Sequence, residues 1–260
     1  MPEIIATTAV GNHRSSAVME RLGMRGPEAV FRFPDVPESN PLGQHVLYRI
    51  SREQWAELKA AQPFAQALEP IMRSPALRDV PEQFETDRLL IRCPKAGDGQ
   101  VVYESVVESL SALREFPASL PWANIEPSLD ASELFCREGQ ASYLLRTSMP
   151  MLLFMKESGV HVGNSGLHSF EWSVPKCEIG YWGRTRFAGQ GLITEAVRAI
   201  TAVAFEHLAM RRVEALPDSE NRASCLVCER AGYALEGTMR HDRLAPDGSL
   251  RSTCLYAVVQ

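Results

Sequence analysis

Residues 12–24, NHRSSAVMERLGM, and residues 221–233, NRASCLVCERAGY, are two versions of one segment. Asn12/Asn221, Ser15/Ser224, Val18/Val227, Glu20/Glu229, Arg21/Arg230 and Gly23/Gly232 recur at identical offsets. Each block follows a short apolar run, Ile4-Ile5-Ala6 or Val213-Glu214-Ala215-Leu216, and each precedes a strand-like run with a Leu-Tyr pair, HVLYRI or TCLYAVV. From Asn to that Tyr is 36 residues in the first copy (12 to 48) and 35 in the second (221 to 256). A repeated supersecondary unit constrains the fold more than any composition does. The unit reads strand, helix, two strands: Asn or Ser caps the helix and Gly stops it. In the second copy the expected helix is 223–231. The strands are 233–243 and 251–259, joined by a turn at Pro246-Asp247-Gly248.

The copies differ in what stands ahead of them. Before the second, 84–92 (FETDRLLIR) alternates as a strand, 98–115 and 130–146 read as helices, and 150–157, 159–170 and 176–183 read as strands. Residues 191–209 form a periodic helix with Leu192, Ala196, Ile200, Val203, Ala204 and Leu208 on one face. That order predicts an α+β, α/β-layered domain with a mixed central sheet flanked by helices. Between the copies, 51–65 reads as a helix, and Pro70, Pro75 and Pro81 mark a linker. The expected organisation is a half-repeat over 1–65, a linker over 66–83 and a complete domain over 84–260.

Bulk properties narrow the function. A net charge of −5 argues against a nucleic-acid partner. No run approaches the ~18 apolar residues of a bilayer span, and the N-terminus lacks a basic region ahead of an apolar run. The expectation is a cytoplasmic protein without a membrane partner. The six cysteines show no disulfide framework, and Cys225-x-x-Cys228 has no second ligand pair, so no metal is expected and the pair reads as buried structural thiols.

One segment carries chemistry. Arg186-Phe187-Ala188-Gly189-Gln190-Gly191 stands directly before the 191–209 helix. Two glycines let backbone N–H groups approach an anion, and the helix N-terminus adds its positive dipole end, which together make a pyrophosphate cradle. A Walker loop would need Gly-Lys-Ser/Thr, and the dinucleotide fingerprint a third Gly where Thr194 stands. Taken alone, the hexapeptide fits a plain glycine turn equally well.

It does not stand alone. The strand end Glu178-Ile179-Gly180-Tyr181-Trp182, the R-x-x-G-x-G loop, Thr194-Glu195-Ala196 and Asn221-x-x-Ser224 together resemble the GNAT N-acetyltransferases. Within that superfamily the RimJ/RimL-like branch, the ribosomal-protein N-terminal acetyltransferases, is most similar, through FETDRLLIR at one end and GTMR…LYAVV at the other. The first copy resembles only the C-terminal half of such a domain, without the loop or the strands before it, so no second active site is expected there.

The resemblance implies a GNAT fold and direct transfer of acetyl from acetyl-CoA to a primary amine of a protein N-terminus or a small molecule. The alternative is a catalytically silent module that binds acetyl-CoA or a partner protein. Tyr181 and Trp182 would meet pantetheine through their backbone. The N–H groups of Phe187, Ala188, Gly189, Gln190, Gly191 and Leu192 would take the pyrophosphate, with Arg186 adding charge and Asn221 holding the pantetheine arm. Glu178 would be the base, with His168, His241 and Asp242 as rivals. Many family members carry a Tyr seven residues after the Asn as acid; Cys228 stands there, and Ser224 is the expected donor to the leaving thiolate. The resemblance also allows a homodimer.

Overall fold

The computed structural model describes residues 3–32, 44–61 and 74–260, which fall into two compact units, 1–73 and 74–260. The first contains strand β1 (Glu3–Ala9), helix α1 (His13–Arg21), strands β2 (Arg25–Arg32) and β3 (Gln44–Ser51), and helix α2 (Arg52–Ala61). The part of the expected 51–65 helix beyond 61 lies outside the described residues. The strands form an antiparallel sheet in the order β1-β3-β2.

The second unit holds an eight-stranded sheet in the order β10-β11-β9-β8-β7-β6-β5-β4. Its strands are β4 (Gln83–Glu85), β5 (Leu89–Arg92), β6 (Met149–Met155), β7 (His161–Glu171), β8 (Lys176–Gly183), β9 (Arg212–Ala215), β10 (Ala234–Leu244) and β11 (Leu250–Val259). All neighbours are antiparallel except β8 and β9, which are joined by the crossover helix that parallel neighbours require. The expected α+β layering with a mixed sheet is therefore what forms. The helices are α3 (Gly99–Leu113), α4 (Leu129–Leu145), α5 (Leu192–Glu206) and α6 (Arg222–Ala231).

Helix α5 buries Leu192, Ala196, Ile200, Val203 and Ala204, as its 3.6-residue period predicts, and Val197 besides, against Ile179, Val213 and Cys225 in the main core. Helix α4 is capped by Ser128, whose side chain accepts from the Ala131 N–H, and it ends at Arg146 in the left-handed region (φ 57°). That backbone conformation is disfavoured for arginine. Here the guanidinium holds it by donating to the carbonyls of Tyr143 (2.5 Å) and Arg78 (3.1 Å).

Residues 78–81 are thus part of the second unit: Val80 lies in the core and the Pro81 carbonyl accepts from the Tyr143 hydroxyl at 2.7 Å. The expected linker over 66–83 shortens accordingly. Its residues 66–73 lie outside the described residues, and 78–83 are tied down by side chains bonded to the Arg78, Asp79 and Pro81 carbonyls and by backbone pairing at Glu82 and Gln83, which a proline count does not foresee.

The two similar segments share several local features. The order β1-β3-β2 matches β9-β11-β10. Ala6 pairs with Tyr48 as Ala215 pairs with Tyr256. Asn12 caps α1 by accepting from the Ser15 N–H at 3.2 Å, as Asn221 caps α6 by accepting from Ser224 at 3.0 Å. The Tyr48 hydroxyl donates to Glu20 at 3.3 Å, and that of Tyr256 donates to Glu229 at 3.0 Å. Burial differs. Val46, Tyr48 and Ile50 are buried, but Ile4, Ile5, Val18 and Leu22 are exposed. In the second copy Val227 and Ala231, at the places of Val18 and Leu22, pack on the core that α5 completes. Among its described residues the first unit has no such helix.

Candidate active site

The glycine loop enters α5 through a short 3-10 turn, Thr185–Phe187. Gly189 (φ 75°) and Gly191 (φ 76°) are both left-handed, a conformation that costs an L side chain about 1–2 kcal/mol. A Cβ built on Gly189 would meet nothing within 4 Å, so the loop's outer face is open. Gly191 is the N-cap residue and offers no side chain to the first turn. Among the described residues, nothing accepts from the N–H groups of Gly189, Gln190, Gly191 or Leu192. Four such donors at a helix N-terminus, with open space outside Gly189, fit an anionic group.

The expected set of donors narrows at its start. The Phe187 and Ala188 N–H groups close the turn onto the Arg184 and Thr185 carbonyls at 2.9 and 3.0 Å, so they are not available to a ligand. The Arg186 guanidinium lies over the Phe187 ring at 5.1 Å and 3.8 Å from Glu108, which offsets part of the charge expected of it. Leu192 contributes only its N–H, since its side chain is core. A depression of about 600 Å³ lined by Arg88, Gly191, Thr194, Glu195, Arg198 and Arg230 opens beside the loop.

Next to the loop the sheet splits. Strands β8 and β9 pair only at Lys176↔Arg212, Cys177↔Val213 and Glu178↔Glu214. Among the described residues, the edge of β8 that faced β9 has no strand partner from beyond Glu178 through Gly183. The split places Glu178 at its fork, beside a second carboxylate. Their environments differ. Glu214 takes a 2.6 Å hydrogen bond from Arg212 and has Lys176 at 3.6 Å. Glu178 has His168 at 3.9 Å, its cross-strand neighbour. Burial raises the Glu178 carboxyl above the ordinary carboxylate range, opposed by His168 and Arg243 and reinforced by the charge of Glu214. A carboxylate raised toward neutrality at a strand fork is suited to accept a proton. The rivals diverge: His168 adjoins Glu178, whereas His241 and Asp242 are exposed on β10.

Alternation along β8 sends Tyr181 and Trp182 to opposite faces. Trp182 stacks obliquely with Trp122 (6.2 Å) and edge-on with His161 (6.1 Å), on the α3 side. Tyr181 points to α6. Its hydroxyl donates to the Ser224 carbonyl (3.0 Å), accepts from Ser224 Oγ (3.0 Å) and touches Cys228 Sγ (3.0 Å). Burial holds the phenol far above its usual range, and burial pushes the Cys228 thiol to about 11, so both stay protonated at neutral pH. All six cysteines are buried thiols, as expected of Cys225 and Cys228.

Sequence reasoning did not foresee three features. Arg88 and Glu195 sit in quoted motifs, but their mutual contact joins segments 107 residues apart. The buried His161, bound to Ser105 Oγ (2.8 Å) and Asn164 Oδ1 (2.7 Å), carries no local signal. Arg184, one residue before the loop's turn, donates to Glu108 of α3 at 2.8 Å, fixing the loop to that helix.

Comparison with known proteins places this geometry. Residues 88–234 match the model of the acetyltransferase (GNAT) domain. The Bacillus subtilis protein YdaF, provisionally named a ribosomal N-acetyltransferase, is 36% identical over 98 residues, which are 38% of this chain and 53% of YdaF. The chain thus spans about half the length of that relative, and 34% of YjcK, a probable N-acetyltransferase of the same organism (40% identical over 62 residues, 24% of this chain). Among solved structures, RimL, a ribosomal L7/L12 α-N-protein acetyltransferase in complex with coenzyme A, superposes with a TM-score of 0.62 at 20% identity, covering 69% of this chain and 97% of that one. The acetyltransferase MccE, solved with acetyl-CoA and AMP, gives 0.60 at 17% identity over 67% and 94%. With a strand fork, a glycine cradle at a helix N-terminus and a family match over more than half its length, the chain belongs to the GNAT acetyltransferase family.

Proposed function

We propose that residues 74–260 transfer an acetyl group from acetyl-CoA to a primary amine, directly and without a covalent enzyme intermediate. The observation that carries this reading is the conjunction of the 189–192 N–H groups with the β8/β9 fork and Glu178. Acetyl-CoA supplies an activated thioester carbonyl. The N–H groups of 189–192 hold its diphosphate, and the unpaired edge at Tyr181–Gly183 takes the pantetheine amides and the carbonyl. Asn221, whose Oδ1 caps α6, turns its amide nitrogen to the same arm. Glu178 takes the proton from the incoming ammonium, directly or through water. The Ser224 hydroxyl, turning from the Tyr181 oxygen to which it donates in the free protein, offers a hydrogen bond to the departing thiolate, and that sulfur takes the second proton lost by the amine nitrogen. A protein N-terminus is the favoured acceptor, because relatives in sequence and in structure are named for ribosomal-protein acetylation. Thiol release from acetyl-CoA on a panel of N-terminal peptides and small amines, with mass spectrometry of the products, tests it. Binding of acetyl-CoA without thiol release on any acceptor would leave the silent module instead.

We further infer that residues 1–65 are a partial copy of the same domain with no active site. Support comes from the shared strand order and the repeated Asn cap and Tyr–Glu hydrogen bond. The copy has no glycine cradle in its sequence.

A further inference from the structure

We propose that Arg88 is a positioning residue for donor binding: its guanidinium, clamped by Glu195, holds the Gln190 carbonyl and thereby aims the Gly191 N–H at the diphosphate. This rests on the cradle reading above.

Glu195 lies in the first turn of α5, where an unpaired carboxylate would repel a diphosphate bound at the same helix end. It is not unpaired. One oxygen accepts from Thr86 Oγ1 (2.5 Å) and from the Arg88 N–H (2.9 Å), and the other from Arg88 Nε (2.7 Å) and Nη2 (2.6 Å). The remaining arm, Nη1, donates to the Gln190 carbonyl at 2.9 Å. A trans peptide points its C=O and N–H in opposite directions. Fixing the Gln190 carbonyl on Arg88 therefore turns the Gly191 N–H the other way.

A direct ionic role for Arg88 is the competing reading. Three of its five N–H donors, one each on Nε, Nη1 and Nη2, are engaged with Glu195 and the loop, so its built contact with the site runs through the loop. Lysine could match the charge but not this planar three-way arrangement. Glu195 and Thr86 hold the fork, and the fork holds the peptide.

The test uses the full chain and two donors with one thioester: acetyl-CoA, and S-acetyl-pantetheine, which lacks the diphosphate. Arg88→Lys should keep the melting temperature, and Arg88→Met removes the fork altogether. Both should raise KM for acetyl-CoA about tenfold or more, the scale of one hydrogen bond to a charged group. Saturating kcat should stay within about twofold, and kcat/KM for S-acetyl-pantetheine should not change. Equal losses on both donors, or a wild-type KM for acetyl-CoA in Arg88→Lys, would overturn the positioning role. A wild-type enzyme with no preference for acetyl-CoA over S-acetyl-pantetheine would overturn the cradle itself, and the proposal with it. If that preference exists and survives in Arg88→Met, the cradle stands and only the role of Arg88 falls.

Discussion

The hydroxyl of Tyr181 lies 3.0 Å from both Ser224 Oγ and Cys228 Sγ, so strand β8 delivers a phenol to the helix face where the departing thiolate is expected. Because the phenol is held protonated by burial, it can orient the Ser224 hydroxyl but does not itself ionise at neutral pH. Ser224→Ala and Tyr181→Phe should each slow turnover about tenfold. If Tyr181 acts through Ser224, the double variant should be no slower than the slower single, since residues in one network are not additive. Cys228→Ser should cost little beyond packing. A severe loss at Cys228 with none at Ser224 in steady-state assays would reverse these roles.

Glu178→Gln should lower kcat by about 10²–10⁴-fold, the range of general-base contributions, with acetyl-CoA affinity unchanged. The base works deprotonated, so activity should rise with pH through its pKa. Burial raises that pKa, which puts the acidic limb of the wild-type profile above the ordinary carboxylate range of about 4.3. The variant should lose this limb. A pH–rate profile identical to wild type would remove Glu178 from the mechanism and return attention to His168, 3.9 Å away.

Gly191→Val should abolish measurable acetyl-CoA binding by calorimetry, because the new side chain crowds the cradle and valine disfavours φ 76°. Strain alone is controlled by Gly248→Val in the β10–β11 turn, where φ is 84°. That variant should lose comparable thermal stability and keep its affinity. Retained affinity in Gly191→Val would mean that the loop is a turn and nothing more.

Much of this arrangement was legible in the sequence, and what was not has a physical reason. Helix α5 and strand β8 announce themselves through period and alternation, and the cradle through two glycines before a helix, because these signals are local. The α6 cap was legible twice over, since Asn12 and Asn221 repeat it. The Arg88–Glu195–Gln190 contact spans 107 residues and depends on β5 lying beside α5, which no local pattern encodes. The donor role expected of Phe187 and Ala188 failed for the opposite reason. Their N–H groups are consumed by a tight turn that the glycine pattern does not reveal.

His161 gives the second unit a pH-dependent stability. It is fully buried, and desolvation lowers its pKa from 6.5 to about 4, against the hydrogen bond to Asn164. The unfolded chain therefore binds this proton between pH 6.5 and 4 while the folded chain does not, so stability falls as pH drops through that window and stops falling below it. The shift corresponds to roughly 3 kcal/mol. His161→Gln should be less stable at pH 7 but should lose less stability from pH 7 to 4 than wild type in urea titrations. Parallel losses in the two proteins would show that carboxylates alone set the acid limb.

Deleting residues 1–73 tests the part of the chain with no counterpart in the family match, which begins at 88. The second unit carries its own closed account of backbone pairing: β4 pairs β5, Val80 fills its core, and Arg78 and Pro81 are bonded to Arg146 and Tyr143 of that same unit. Every residue assigned above to the donor or the base also lies after Ser74. The shortened chain should therefore bind acetyl-CoA with wild-type affinity by calorimetry and keep the melting temperature of its main transition. Solubility should improve, because the deletion removes the exposed side chains of Ile4, Ile5, Val18, Leu22 and Val30. The full chain should show any separate, lower transition that belongs to the three-stranded sheet, and the deletion should lack it. Loss of acetyl-CoA binding in a shortened protein that still melts cooperatively would mean that the partial copy completes the site.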